Sequence, residues 1–109
     1  GLSLNNPGPA VNSSYWMSCI VWDKDFGIDK RKVRDHLATH NIDTRPFFAP
    51  LSSLQAYRGM KDIGSCRIRN TESYRLRDHG INLPSSLNLL ESEVERICEH
   101  LLQLFVAGA

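Results

Sequence analysis

"YWMSCIVWDKDFGIDKRKVRDHLATHN", residues 15–41, decides the architecture because its hydrophobic period changes once along its length. Tyr15–Trp22 is dense in aromatic and β-branched residues and bounded by polar turn formers, the composition of a largely buried strand. "DKDFG" then turns the chain. From Asp29 the pattern becomes helical: Asp29 suits a cap that accepts a backbone N–H, and Ile28 lies just outside as a staple. Val33 and Leu37 recur four apart to face a core, and the helix is expected to stop near Asn41.

Upstream, residues 1–14 carry Asn5, Asn6, Pro7, Gly8 and Pro9, which oppose regular structure, so an extended lead-in is expected there. Downstream, "IDTRPFF" (42–48) resumes a strand that Pro46 and Pro50 confine to a sheet edge. "LSSLQAYRGM" reads as a short helical turn and "KDIGSCRIR" as loop. A second helix is expected over Thr71–Asp78, stopped by Gly80 as a left-handed cap, and "INLP" returns as a short strand. The last helix is the clearest: Val94, Ile97, Cys98, Leu101, Leu104 and Phe105 follow the i, i+3, i+4, i+7 rule, and Glu91 and Glu93 favour its start. Together these elements predict one α+β domain over 15–109: a small two-layer sandwich, its short sheet mostly antiparallel or mixed and packed by about three helices.

The chain's 109 residues suit one domain with one modest core, burying roughly two-thirds of the extended chain's surface. Thirteen Lys and Arg against twelve Asp and Glu leave a net charge of +1, so no global field points to nucleic acid or membrane. Cys19, Cys66 and Cys98 form no CxxC pair and leave one over, which fits free thiols in a reducing cytosol. Cys19 and Cys98 fall in apolar patterns and are expected in the core. No apolar run approaches a membrane span and no signal-peptide pattern opens the chain, so a cytoplasmic location is expected. The start at Gly1 rather than Met suggests a trimmed chain or a piece of a longer one.

The phosphate-loop, dinucleotide, zinc-protease, CxxC and nucleophile-elbow signatures are absent from the sequence. His36 and His40 have the i, i+4 spacing of a metal pair, but two ligands without a third make a poor site, and partly buried helix-edge residues are the expectation. Arg58, Lys61, Arg67, Arg69, Arg75 and Arg77 concentrate positive charge against Asp62 and Glu72. With thin aromatic interleaving, a solvated face or an acidic docking partner is expected ahead of nucleic acid. Two readings stay open for Arg45, Phe47 and Phe48. Arg45 suits capture of a carboxylate or phosphate beside an aromatic that stacks on a sugar or base; alternatively both Phe belong to the core and Arg45 to the surface.

"NSSYWMSCIVWD", then "GIDKRKVRDHLATHNIDTRPFFAPLSSLQAY", then "HGINLPSSLNL" and "ESEVERIC" together resemble the C-terminal small domain of the DegT/StrS-type sugar aminotransferases, perosamine-synthase-like members among them. The resemblance runs from about Leu2 to Leu104, and the ordered trio "YWM", "TRPFF.PL" and "GINLPS" is its most specific part. These are pyridoxal-phosphate enzymes that aminate keto sugars carried on nucleotides. The resemblance implies a larger cofactor-holding domain beside this one, within a dimer, with "RPFFAPLSSL" as the edge turned toward substrate. Arg45, Phe47, Phe48, Pro50, Ser52 and Ser53 are thereby the candidate substrate-side residues, and Tyr15 and Trp16 are expected to brace the strand beneath. Leu90 stands where a capping Thr is frequent in relatives, and Ser92 with Glu95 is expected to supply a capping box instead.

Transamination requires a lysine that bonds the cofactor, an acidic partner for its ring nitrogen and a phosphate cup. Lys24, Lys30, Lys32 and Lys61 match none of the family's cofactor-lysine context. The implied role is therefore a pocket wall, as the C-terminal part of a nucleotide-sugar aminotransferase or a stand-alone relic of one, with no cofactor in this chain and no catalysis by it alone. The partner is then the large pyridoxal-phosphate domain. The alternative is an independent binding or assembly module that reuses the fold as a homo-oligomer.

Overall fold

The computed structural model describes residues 1–106; the last three positions of the expected domain, 107–109, lie outside the described residues. Four strands form one antiparallel sheet: β1 (Leu2–Leu4), β2 (Ser18–Trp22), β3 (Arg45–Pro46) and β4 (Gly80–Leu83), in the order β1-β2-β4-β3. Four α-helices accompany it: α1 (Lys30–Thr39), the single turn α2 (Cys66–Arg69), α3 (Thr71–Asp78) and α4 (Glu91–Val106). The architecture is the expected α+β arrangement, with one helical turn more than the pattern suggested.

Strand alternation divides the residues of the sheet between two faces. Ile20 and Trp22 of β2 and Ile81 of β4 point toward the helices and are buried with Val33 and Leu37 of α1 and Ile97, Leu101 and Phe105 of α4. Ile20 pairs directly with Ile81, which locks the apolar rows in register. Trp22 anchors this layer: its ring meets Phe105 at 5.5 Å, and its Nε1–H donates to the Ile28 carbonyl at 2.9 Å.

The boundaries of α1 follow from its ends. The Asp29 carboxylate accepts the Arg31 backbone N–H at 2.7 Å, and its hydrogen bonds with the Arg31 side chain and backbone hold its pKa below the usual carboxylate range. At the other end Asn41 takes φ 56°, the Ile42 N–H returns to the Leu37 carbonyl and the Asn41 N–H to that of Ala38. That paired closure, with Leu37 and Ile42 both buried, stops the helix.

Several expectations are corrected. The lead-in is not wholly extended loop, because Leu2–Leu4 pairs with Ile20–Trp22 as an edge strand of the same sheet. Asn5 prolongs the pairing with its side chain, accepting from the Cys19 N–H at 2.9 Å and donating to the Met17 carbonyl at 2.8 Å. Beta-forming composition did not carry Tyr15 and Trp16 into β2: Tyr15 has φ 49°, its N–H is taken by Ser13 Oγ, and both side chains face solvent. Cys98 lies on the exposed side of α4 and Cys19 is half-buried behind the sheet.

Residues 63–69, expected as loop, form a tight turn running into α2. Gly80 is not a left-handed cap but the first residue of β4. A Cβ there would stand 2.6 Å from the Leu76 carbonyl oxygen and 2.8 Å from Phe47 Cδ2, so close packing requires glycine. At the start of α4 it is Glu93, not Glu95, that reaches back, accepting the Leu90 N–H at 2.8 Å. Leu90 offers no side-chain oxygen in return, so half of a capping box is made. No helix among the described residues is long and apolar enough to cross a membrane.

Candidate functional site

The sheet face turned away from α1 and α4 carries the chemistry. Pairing sets Cys19 opposite Asn82 and Asn82 opposite Arg45, so these three residues line up across β2, β4 and β3 on that face. Asn82 is a buried polar residue, and both ends of its amide are engaged: Oδ1 accepts from Cys19 Sγ at 3.0 Å and Nδ2 donates to the Pro46 carbonyl at 3.2 Å. Burial pushes the Cys19 thiol pKa up, which keeps it protonated as the donor. The amide thus pins β3, two residues long, to the sheet and fixes where Arg45 leaves it.

Around this row lie two adjoining clefts. One, of about 280 Å³, is lined by Trp16, Thr44, Arg45, Asn82 and Ser85 among others; the second, of about 310 Å³, by Asn5, Ser13, Trp16, Phe47 and Phe48. Trp16, Met17 and Asn82 border both. Trp16 is 72% exposed and Phe48 65%, large apolar surfaces on one face of a small domain. Arg45 is exposed beside them, held by Asp43 at 2.9 Å. Thr44 Oγ1 is buried at this rim without a hydrogen-bond partner.

The candidate residues therefore divide. Arg45, Phe47 and Phe48 come together on the clefts. Phe47 is half-buried against Gly80, so the core reading applies to it in part and not to Phe48. Pro50 is buried, and Ser53 Oγ turns inward to the Pro50 carbonyl at 2.7 Å. Ser52 shares a hydroxyl contact of 3.1 Å with Tyr74 and lines a separate hollow of about 490 Å³ with Leu51, Tyr57, Met60 and Asn70. Trp16, Asn82 and Ser85 were missed as site residues. The alternation of "GINL" against "SCIVW" places Asn82 behind the sheet and could have found it; the exit of Trp16 from the strand has no such signal.

The remaining charged and titratable groups lie elsewhere. In the basic segment Arg75 pairs with Glu72 at 2.8 Å, Arg67 sits 5.3 Å over the Tyr74 ring and Arg69 reaches Cys66 Sγ, so three of its six cations have local partners. Lys30 Nζ donates to the Arg77 carbonyl at 2.6 Å, and Lys24, Lys32 and Lys61 are exposed. None of the four lysines lines the clefts beside Arg45.

A small antiparallel sheet packed against α1 and α4 belongs to a known class of fold. Residues 3–102 match the DegT/DnrJ/EryC1/StrS aminotransferase family, and the chain belongs to that family. Its relatives include the GDP-perosamine synthase of Vibrio cholerae, 32% identical over 92 residues, covering 84% of this chain and 24% of that protein. The GDP-perosamine synthase of Escherichia coli O157:H7 is 30% identical over 95 residues, with 87% and 24% covered. The chain thus spans about a quarter of the length of these relatives. In fold it is similar to the crystal structure of the aminotransferase TlmJ from Streptoalloteichus hindustanus, with a TM-score of 0.74 at 22% identity over 98% of this chain and 27% of that one.

Proposed function

We propose that this chain is the C-terminal small-domain region of a cytoplasmic, pyridoxal-phosphate-dependent nucleotide-sugar aminotransferase. On this reading its sheet face turned away from α1 and α4 supplies a substrate-side wall rather than the reacting groups. The observation that carries the proposal is the exposed set Trp16, Arg45 and Phe48 on one face of a chain that matches a quarter of its relatives. Apolar surface of that kind on so small a domain is costly unless something covers it, and a large domain is the cover the family offers. Arg45 brings a planar donor fork suited to phosphate, and Phe48 a flat face suited to a sugar or base.

The residues present do not fit the cofactor itself. Three lysines are solvated, the fourth is tied to a backbone carbonyl, and none lines the clefts, which supports assigning the cofactor to residues outside this chain. The unpaired thiols of Cys19, Cys66 and Cys98 accord with a reducing compartment.

The test is a chimera in which this chain replaces the matching quarter of the Vibrio cholerae relative. It is expected to retain that enzyme's activity, and Arg45→Ala within it to lose at least about tenfold in kcat/KM with the cofactor absorbance unchanged. A folded chimera in which Arg45→Ala changes nothing would remove the substrate-wall role. An isolated chain that self-associates through Trp16 and Phe48, lost on Trp16→Ala, would favour the assembly-module reading.

A further inference from the structure

His36 and His40, one turn apart on α1, gain a third imidazole from α4: one ring nitrogen from each of His36, His40 and His100 lies within 4.8 Å of the other two. The His40 and His100 rings stack at 3.8 Å, and His36 stands 4.8 Å from His40. All three are half-buried at the seam between the two helices, on the side of the molecule remote from the clefts.

Hydrogen bonds orient the rings. His36 Nε2 meets the His100 backbone carbonyl at 3.0 Å, His40 Nδ1 the His36 carbonyl at 2.9 Å, and His100 Nδ1 the Gln103 side-chain oxygen Oε1 at 3.3 Å. Thr39 Oγ1 donates to the His36 carbonyl and so accepts at His40 Nδ1. Carbonyl oxygens only accept, so each ring places its N–H on that side and leaves its lone pair on the other nitrogen. In the neutral rings the lone pair is then carried by the nitrogen free of these bonds, His36 Nδ1, His40 Nε2 and His100 Nε2, and is open to a cation. Metal-ligating histidines show this same arrangement, with the second nitrogen held by a carbonyl.

We propose that His36, His40 and His100 form a site for a late first-row divalent cation of the zinc class, which clasps the C-terminal end of α1 to α4. Imidazole nitrogen suits zinc, copper and nickel ahead of magnesium or calcium. Nitrogens about 2.0 Å from a tetrahedral zinc ion stand about 3.3 Å apart, so the nitrogens draw in by roughly 1.5 Å at most and the stacked His40 and His100 rings turn apart to converge on the ion, both side-chain adjustments. Half-burial leaves the fourth position to water.

The probe is Zn²⁺ titrated into the chelator-stripped chain against a competing indicator. One equivalent is expected to bind with Kd below about 10 μM and to raise the melting temperature by a few degrees. His36→Gln and His100→Gln are each expected to weaken binding at least about tenfold, whereas Cys66→Ser and Cys98→Ser leave it unchanged. Cu²⁺ bound to the unaltered chain should show nitrogen hyperfine structure from imidazoles, a readout that needs no variant. No binding at about 100 μM Zn²⁺, binding that survives both glutamine substitutions, or binding lost with a cysteine would each overturn the proposal.

Discussion

The two faces of the sheet use the same residue types to opposite ends. Toward the helices, Trp22 is 1% exposed, stacked on Phe105 and hydrogen-bonded through its indole. Behind the sheet, Trp16 is 72% exposed, and Phe48 and Tyr15 beside it are likewise open. Among the described residues one face is packed beneath α1 and α4, and the other carries aromatic surface that stays open. The difference teaches that the fold is stabilised by its helical side and leaves the cleft side open to solvent.

Substitutions can break or sharpen that contrast. Trp22→Ala is expected to cost about 3–5 kcal/mol, because it removes the central side chain of the packed layer and leaves the Ile28 carbonyl unpaired; chemical denaturation measures it. Gly80→Ala is expected to cost about 1–3 kcal/mol, since the Leu76 carbonyl and Phe47 must both give way. The same variant should alter the cleft side by moving Phe47, which ligand binding to the chimera would report. Leu90→Thr supplies the missing oxygen opposite Glu93 and is expected to stabilise the chain by about 1 kcal/mol without touching either face. Trp16→Ala should change the stability of the isolated chain by less than about 0.5 kcal/mol, the behaviour of an exposed residue that the core does not need. A large loss there would erase the contrast between the faces.

The legible parts of the fold were those with local causes. The Asp29 cap, the Val33 and Leu37 spacing and Asn41 bracket α1 within the sequence itself, and Thr71–Asp78 and the apolar stripe of α4 are similarly self-contained. The parts that escaped depend on distant partners. Leu2–Leu4 is a strand only because β2 lies beside it, and Asn5 serves that pairing although asparagine favours turns. In sequence Gly80 resembles a helix cap because its constraint, the Phe47 ring, lies far upstream. Trp16 has the composition of a strand residue, but the backbone of Tyr15 turns out of line before it. Of the candidate site, Arg45, Phe47 and Phe48 were legible as a cluster, whereas Asn82 and the third imidazole of His100 needed the strand and helix pairings to come into view.

Covalent footprinting read by mass spectrometry tests the central claim most directly, by comparing the isolated chain with the chimera built on the Vibrio cholerae relative. If the cleft face is made to be covered, Trp16 and Phe48 should label at least about fivefold less in the chimera, while Leu102 on the outer side of α4 labels equally in both. Equal labelling of Trp16 and Phe48 in the two proteins would contradict the account.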